Sequence, residues 1–381
     1  MKLHVLQIVP CFVDLNNEAG GVSNVARQIS LHLAGQDCEI TIICGNREMG
    51  NVKAQPGVIR HKPDLVEHVI GQKSHPLLGP RIELKEYLKG IKGRCVAHIH
   101  TCFSQFTESA MFECVKHGVP FVFTPHGKLS PLMFSNQRRV KKWYWDNKVK
   151  NFVNQAAEIV LSSPGEAALF KELNITRKWK AIPNGYDETA FLSSNVEVPL
   201  IKKPYILFLG YLEARKQPGF LIELFANSAL KSTHKLIIAG PDTYGHKETL
   251  TRIVRSLGLE REVMFFGPAY KADKWNLMKY ASCFCLPSKA EGLPVVLCEA
   301  IGAGVPVLYS TGCNFPELAQ SGCGVELDGF DAATWREALE RVCLNKTVNE
   351  QMKACAARIK SRYKWSSVCQ EWLALYKACV S

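Results

Sequence analysis

The chain has no apolar run approaching the ~18–20 residues that a membrane-spanning helix needs, so no spanning segment is expected. Met1 to Pro10 reads as a short apolar strand ended by proline. It has no small-residue cleavage site, so an export leader is not expected either. Low-complexity tracts are missing, as is any repeat at solenoid spacing. There is no Walker loop, and no Gly-x-Gly-x-x-Gly follows an apolar run, which removes two well-known phosphate-binding signatures. No nucleic-acid module is recognisable, and basic and aromatic residues interleave in one stretch alone. Nucleic acid is therefore not an expected partner.

Cysteine, by contrast, is plentiful. The 15 thiols are scattered and sit mostly in apolar runs, as Cys38, Cys44, Cys283, Cys285 and Cys298 do. Without an export signal this reads as reduced, buried thiols in a cytoplasmic protein rather than a disulfide scaffold. The 381 residues exceed one ordinary core, so two domains are expected. A formal charge of +12 favours anionic partners such as nucleotide phosphates or phospholipid head groups. The excess is even along the chain except at Gln137 to Lys150. That stretch holds six basic residues (Arg138, Arg139, Lys141, Lys142, Lys148 and Lys150) against Asp146, interleaved with Trp143, Tyr144 and Trp145.

Short apolar runs alternate with helical periodicity. His4–Val9 reads as a buried strand. A Gly-Gly turn follows, and then apolar positions Val22, Val25, Ala26, Ile29 and Leu33 at helical spacing. Further strands are expected at Ile40–Cys44, Val96–His100, Pro120–Thr124, Glu158–Ser162 and Lys180–Ile182, with a helix around Glu108–Lys116. Ser193–Pro204 then lacks a period and carries two prolines, which places the interdomain linker there. The alternation restarts with strands at Tyr205–Leu209, Lys235–Ala239, Val263–Phe266, Cys283–Leu286 and Val305–Tyr309 and a helix at Phe220–Ala229. This is the pattern of two α/β, doubly wound Rossmann-like halves, whose strand ends would face each other across a cleft. The expected domains are residues 1–196 and 204–364. An amphipathic helix at Ser366–Val380 ends the chain, with Val368, Trp372, Leu375 and Cys379 on one face.

The stretch from Ser288 to Pro306 carries the most chemistry. A polar turn with Glu291 and Gly292 follows a strand, and Leu293 and Pro294 lead into a helix in which Pro294 suits the first position. Free N–H groups at a helix start can hold a diphosphate. Glu291 would be repelled by phosphate unless it faces sugar hydroxyls, which want an acceptor. Glu299, two turns on, can accept from ribose hydroxyls. An ordinary helix flanked by two solvated glutamates is the plain alternative.

Glu291 and Glu299 in Glu-x7-Glu spacing, with Glu-Ala-Ile-Gly-Ala-Gly-Val-Pro-Val from Glu299, resemble the signature of glycosyltransferase family four, the retaining GT-B enzymes. The resemblance extends over nearly the whole chain. Gly20-Gly21-Val22 is similar to the family's N-terminal glycine loop, and Thr124-Pro125-His126-Gly127 to the segment carrying its active-site histidine. Ile182 to Asp187 resembles its Pro-Asn-Gly-Val-Asp turn, and Phe208-Leu209-Gly210 through Lys216 its basic donor-phosphate loop. The last helix, residues 365–381, is similar to one that crosses back to the N-terminal domain. One departure stands out: Tyr211 follows Gly210 where the family usually has arginine.

The resemblance implies a retaining, metal-independent transferase without a cofactor, acting by front-face displacement on a nucleotide-sugar donor. His126 and Glu291 would meet the transferring sugar. Gly20, Gly21, Gly210, Arg215, Lys216, Gly292, Leu293, Pro294 and Glu299 would hold the donor. Pro125 to Pro131, followed by the basic segment, is similar to transferases of bacterial surface-polysaccharide and lipopolysaccharide assembly. This points to a glycan or lipid-linked acceptor, with residues 137–150 resting on anionic membrane at the cytoplasmic face. The alternatives are an inactive GT-B scaffold or a basic nucleotide- or nucleic-acid-binding protein. His98, His100 and Cys102 would share one strand face and could bind zinc, but no spaced partner motif accompanies them.

Overall fold

A computed structural model describes residues 2–15, 21–48, 51–71, 81–88, 91, 93–135, 137–194, 197–243 and 245–381. Its strands are β1 (Leu3–Val9), β2 (Cys38–Gly45), β3 (Arg47–Glu48), β4 (Asn51–Val52), β5 (Gly57–Lys62), β6 (Leu65–Ile70), β7 (Cys95–His100), β8 (Phe121–Thr124), β9 (Glu158–Leu161) and β10 (Trp179–Ala181). They continue with β11 (Tyr205–Leu209), β12 (Lys235–Ala239), β13 (Val263–Gly267), β14 (Cys283–Leu286), β15 (Val307–Ser310) and β16 (Gly324–Leu327). The chain divides into two compact units, Met1–Pro183 with Trp365–Ser381, and Asn184–Lys364.

The first unit is built on one sheet in the order β10-β9-β8-β7-β1-β2-β6-β5. Every pair in it is parallel except β5 with β6. From β1 the chain winds one way to β2 and β6, then returns to the other side of β1 for β7 to β10. The turning point thus lies between β1 and β7. β1, β7 and β8 read as near-continuous apolar runs because helices cover both faces of a parallel sheet. Leu6, Ile8, Ala97, Ile99, Phe121 and Phe123 form the middle of the core. The helix Gln105–His117 starts where the Ser104 side chain accepts from Thr107 N–H and ends at Gly118 in the left-handed region (φ 64°). The helix Trp365–Cys379 packs against Gly21–Leu33 and buries Val368, Trp372, Leu375 and Tyr376.

The second unit has six strands, all parallel, in the order β13-β12-β11-β14-β15-β16. This is the doubly wound order in which a ligand crevice opens at the carboxyl ends of the two strands where the winding reverses, here β11 and β14. The helix Val295–Ala303 leaves β14 and stops at Gly304 (φ 76°).

Two sequence expectations are corrected, and some strands were not expected. The division falls between Pro183 and Asn184, not in Ser193–Pro204, so residues 184–194 leave the expected 1–196 domain. The reason is packing. Asn184 Nδ2 donates to the Leu293 carbonyl (2.6 Å), and Phe191 meets Trp275 edge-on at 5.1 Å. Pro294 is the residue before the helix, with an extended ψ of 123°, rather than its first helical residue. The pairs β3–β4 and β5–β6 and the strand β16 went unread. β6 hides because its buried row, Leu65, Glu67 and Val69, includes a carboxylate. Burial pushes the Glu67 carboxyl up, and His61 Nε2 at 2.8 Å and Cys44 Sγ at 3.2 Å bond it.

Candidate active site

In the second unit, two loops meet at the carboxyl ends of β11 and β14. The first runs from Gly210 through Lys216, the second from Ser288 to Pro294. Hydrogen bonds to backbone carbonyls lock them together: Lys289 N–H donates to the Arg215 carbonyl (2.8 Å), and the Arg215 guanidinium donates to the Ala290 carbonyl. Glu291 is held at both ends, its N–H on the Gly312 carbonyl (2.8 Å) and its own carbonyl under Asn314 Nδ2 (2.7 Å). Leu293, buried, is fixed by Asn184 through its carbonyl.

The close approach of the first loop to β12 depends on a glycine the sequence did not single out. Gly240 sits at φ 135°, and a Cβ there would lie 1.9 Å from the Gly210 carbonyl oxygen. Gly210 in turn lies under the Lys216 stem, whose Cδ would be 3.1 Å from an added Cβ. Gly302, in the helix Val295–Ala303, is required by the Tyr186 ring, which would stand 2.6 Å from a Cβ.

Around this frame the charges pair. Glu291 Oε1 lies 2.6 Å from Lys216 Nζ, and its Oε2 lies 2.7 Å from Arg215. Arg215 also holds Glu213 at 2.5 Å. Burial would raise the Glu291 carboxyl, but the two cations outweigh it and hold it below the usual range. Burial disfavours the Arg215 charge, yet Glu291 and Glu213 keep it charged. The two cations therefore answer the repulsion expected between Glu291 and a phosphate. Only one of the three Lys216 donors is used by Glu291, which leaves it able to bond an anion as well. The first turn of Val295–Ala303 closes by Leu297 N–H on the Pro294 carbonyl (3.0 Å), so the Val295 and Val296 N–H groups head the helix beside Gly292.

Glu299 lies one helical step deeper and buried. Lys274 Nζ stands 2.6 Å from its Oε1, and the same ammonium lies 4.9 Å from the Trp275 ring centre. Lys274 is a site residue that sequence reasoning missed. Nothing local marks it, since Lys-Trp in a helix is ordinary and the pairing exists only across the fold.

The histidine motif lies in the first unit, after β8. His126 adopts a left-handed backbone (φ 52°) followed by Gly127 (φ 75°). Glu166 pins this bend: its carboxylate accepts from Gly127 N–H (2.5 Å), and from Ser162 N–H (2.9 Å) and Oγ (2.6 Å). His126 Nε2 is 2.9 Å from His100 Nδ1 with the rings nearly parallel. Burial, with Lys128 adding to it, holds His126 at a pKa of about 3, so it is neutral. His98 and His100 are also pulled well down by burial. Neither of them joins Cys102 as a zinc site. Cys102 lies beyond the end of β7, past Thr101 at φ 64°, and both histidines bond side chains of the core. Among the described residues no group of three or more histidine, cysteine or acidic side chains gathers for a metal. Gly21 begins the helix after β1 at φ 58°, with open space where a Cβ would stand. Gly20 lies outside the described residues.

Two doubly wound units, one with a paired cation-carboxylate cluster and a helix start at its switch point, define a GT-B protein. Comparison with known proteins gives the family. The model described as Glycosyltransferase Family 4 matches residues 19–190, and the one described as Glycosyl transferases group 1 matches residues 194–362. The chain belongs to glycosyltransferase family 4, and its activity is sugar transfer. It is 25% identical to a GDP-mannose:cellobiosyl-diphosphopolyprenol alpha-mannosyltransferase from Komagataeibacter xylinus, over 93% of this chain and 92% of that one. Among solved structures it is similar to sucrose-phosphate synthase from Thermosynechococcus elongatus (TM-score 0.78, 18% identity, 99% of each chain). It is also similar to Anabaena HepE in complex with UDP and glucose (TM-score 0.72, 16% identity, 99% of this chain and 100% of that one).

Proposed function

We propose that this transferase moves a sugar from a nucleotide-sugar donor to a hydroxyl of a glycan or lipid-linked saccharide, with retention at the anomeric carbon, in surface-polysaccharide or lipopolysaccharide assembly. The observation that carries this reading is the Arg215–Lys216–Glu291 cluster beside the start of Val295–Ala303, where a leaving diphosphate finds both cations and N–H groups. Such a site needs neither a metal nor a cofactor. Glu291 takes the hydroxyls of the transferring sugar. Glu299, oriented by Lys274, takes the ribose. His126 hydrogen-bonds the sugar. The bond between the anomeric carbon and the phosphate oxygen breaks, its electron pair leaves with the diphosphate, and the acceptor oxygen attacks on the same face. The acceptor's proton passes to the departing phosphate, so no carboxylate nucleophile is required.

The diphosphopolyprenol in the name of the Komagataeibacter relative supports a lipid-linked acceptor. The basic stretch supports a peripheral position at the inner face of the membrane. The fifteen cysteines, all free thiols, fit a reducing cytoplasm. No helix among the described residues is long and apolar enough to span a bilayer.

A panel of UDP-, GDP- and ADP-sugars tested for protection against thermal unfolding identifies the donor, because a ligand of the folded state raises its apparent stability by mass action. Transfer is then read as nucleoside diphosphate released on addition of polyprenyl-linked saccharides, with the anomer of the product determined. No protection by any nucleotide sugar, or an inverted product, overturns the proposal.

A further inference from the structure

Behind His126 lies a chain of hydrogen bonds that the reaction as described leaves unused. His100 Nε2 is 2.6 Å from Gln7 Oε1. Gln7 Nε2 donates to the Tyr376 hydroxyl (3.2 Å), which lies 2.6 Å from His98 Nδ1. His98 Nε2 is 2.9 Å from Thr124 Oγ1. Gln7, on β1, and His98 and His100, on β7, straddle the turning point of the sheet, with Gln7 and His98 in register. Tyr376 comes from the last helix, and Trp372 beside it covers the His98 ring at 4.6 Å. Gln7, His98, His100 and Tyr376 are all buried, and no carboxylate stands among these partners.

The directions of these bonds are not independent. Two imidazole rings 3.9 Å apart in an apolar interior stay neutral, and a neutral ring carries one N–H. With the Gln7 amide oxygen facing His100, that oxygen can only accept, so His100 carries its proton on Nε2. Its Nδ1 then accepts, and the donor opposite is the Nε2–H of His126. On the other arm the Gln7 amide donates to Tyr376, Tyr376 donates to His98 Nδ1, and His98 donates from Nε2 to Thr124. Turning the Gln7 amide over would reverse every bond and move the His126 proton to Nδ1.

We propose that Gln7, clamped by Tyr376 of the last helix, is a positioning residue that fixes His126 as the Nε2–H tautomer, so that its Nδ1 meets a substrate hydroxyl as an acceptor and never as a donor. This rests on the reading of His126 as a sugar-contacting residue. It adds the sign of that contact: the hydroxyl gives its proton to the ring. A substrate group without a proton to give, such as an ether or a fluorine at that position, gains no bond from His126.

The tautomer can be read with no substrate bound, so the test stands apart from the transferase assignment. The full chain is labelled with ¹⁵N-histidine and its long-range ¹H–¹⁵N correlations are recorded at pH 7.5, the His126 signals being those lost in His126→Asn. We expect His126, His100 and His98 each as a single Nε2–H tautomer. In Gln7→Met, which keeps the length of the side chain but offers neither amide atom, the His100 and His126 Nδ1 resonances should shift from the unprotonated towards the protonated position as both tautomers become populated. A packing role for Gln7 would leave these signals in place. Finding His126 protonated on Nδ1 in the wild type overturns the proposal, as does an unchanged His126 tautomer in folded Gln7→Met. If Gln7→Met does not fold, the wild-type spectrum decides alone.

Discussion

Lys216 Nζ and Glu291 Oε1 stand 2.6 Å apart, joining the loop after β11 to the loop after β14. On the proposed reading, a cation for the diphosphate and a carboxylate for the sugar thus hold each other in position before either substrate arrives. The two should separate kinetically. Lys216→Ala should weaken binding of the nucleoside diphosphate by about tenfold or more, as expected for losing a charged hydrogen bond worth ~1.5–3 kcal/mol. Glu291→Ala should leave that affinity unchanged or tighter, because it releases both cations, while lowering kcat by about 10–100-fold. Calorimetry with the diphosphate and steady-state kinetics with the identified donor check both. Equal loss of binding in the two variants would contradict the division of roles.

Glu299 and Lys274 form the more buried pair. Removing one partner takes away the counter-charge 2.6 Å from a buried ion, so Glu299→Ala should cost about 3–5 kcal/mol of stability. Replacing both, as Glu299→Gln with Lys274→Met, should cost less than Glu299→Ala, since no lone charge remains. Chemical denaturation of the single and double variants measures this. If Glu299 takes the ribose as proposed, nucleotide affinity should fall in both, because each loses that carboxylate.

Backbone proximity gives a third test. Gly240→Ala places a methyl 1.9 Å from the Gly210 carbonyl at φ 135°, a conformation that other residues avoid. We expect a loss of at least about 2 kcal/mol, with nucleotide binding impaired because the loop carrying Arg215 and Lys216 must move. Gly210→Ala meets only the flexible Lys216 stem at 3.1 Å, so it should fold nearly as well and lose mainly affinity. Thermal unfolding with and without nucleotide separates the two effects.

These tests also mark what could be read from the chain. β11, β12 and β14 matched their apolar runs residue for residue, because parallel strands buried on both faces are apolar over nearly their whole length. Gly210, Lys216, Glu291 and Glu299 stand out in the chain as glycine and charge at fixed offsets from strand ends, and the structure pairs Lys216 with Glu291 beside Gly210. Lys274, Gly240 and Tyr376 do not stand out, and neither does the contact that Asn184 makes. Each acts through a residue distant in sequence: Lys274 on Glu299, Gly240 on Gly210, Asn184 on Leu293 and Tyr376 on His98. The domain boundary was misplaced for a related reason. A proline-rich stretch without periodicity marks a break in secondary structure, whereas the units divide where tertiary contacts change hands, at Asn184.

The buried histidines set a pH dependence. His98 and His100 are pulled well below their ordinary pKa by burial, and His126 to about 3. Their folded values lie below the unfolded ones, so the stability they contribute is present above about pH 6.5 and is lost as pH falls towards the folded values. Each adds up to about 1.4 kcal/mol per pH unit, hence up to about 4 for the three. His4, His68 and His234 shift the same way through burial. Glu166, Glu67 and Glu326, pushed up by burial, act in the opposite sense from about pH 4.5 upward, so a net fall on acidification from pH 6.5 to about 5 reports the histidines outweighing them. Urea midpoints should fall across that range. A midpoint independent of pH there would show that the histidines do not outweigh the carboxyls.

The basic stretch supplies the last test, and the structure reduces its strength. Of its three aromatics, Trp145 and Tyr144 turn inward, Trp145 donating to the Leu173 carbonyl and Tyr144 to Glu108. Trp143 is 60% exposed, next to Val140 at 55%. Of the six cations, Arg138 pairs with Glu172, and Lys142 and Lys150 share Asp146, so six positive charges less two negative ones leave four. At about 1 kcal/mol for each cation near anionic lipid, four charges and one indole hold the protein loosely and reversibly. Sedimentation with phosphatidylserine-containing vesicles should therefore detect binding at low salt that fades as salt shortens the screening length below about 10 Å. Neutralising Arg139, Lys141 and Lys148 should remove most of it, and Trp143→Ala should weaken it at every salt concentration, since an indole's insertion is not screened. The fold and nucleotide binding should survive both changes, because none of these side chains is buried in the core of the first unit. Binding that is unaffected by salt, or missing even at low salt, would leave the stretch as an ordinary exposed helix face.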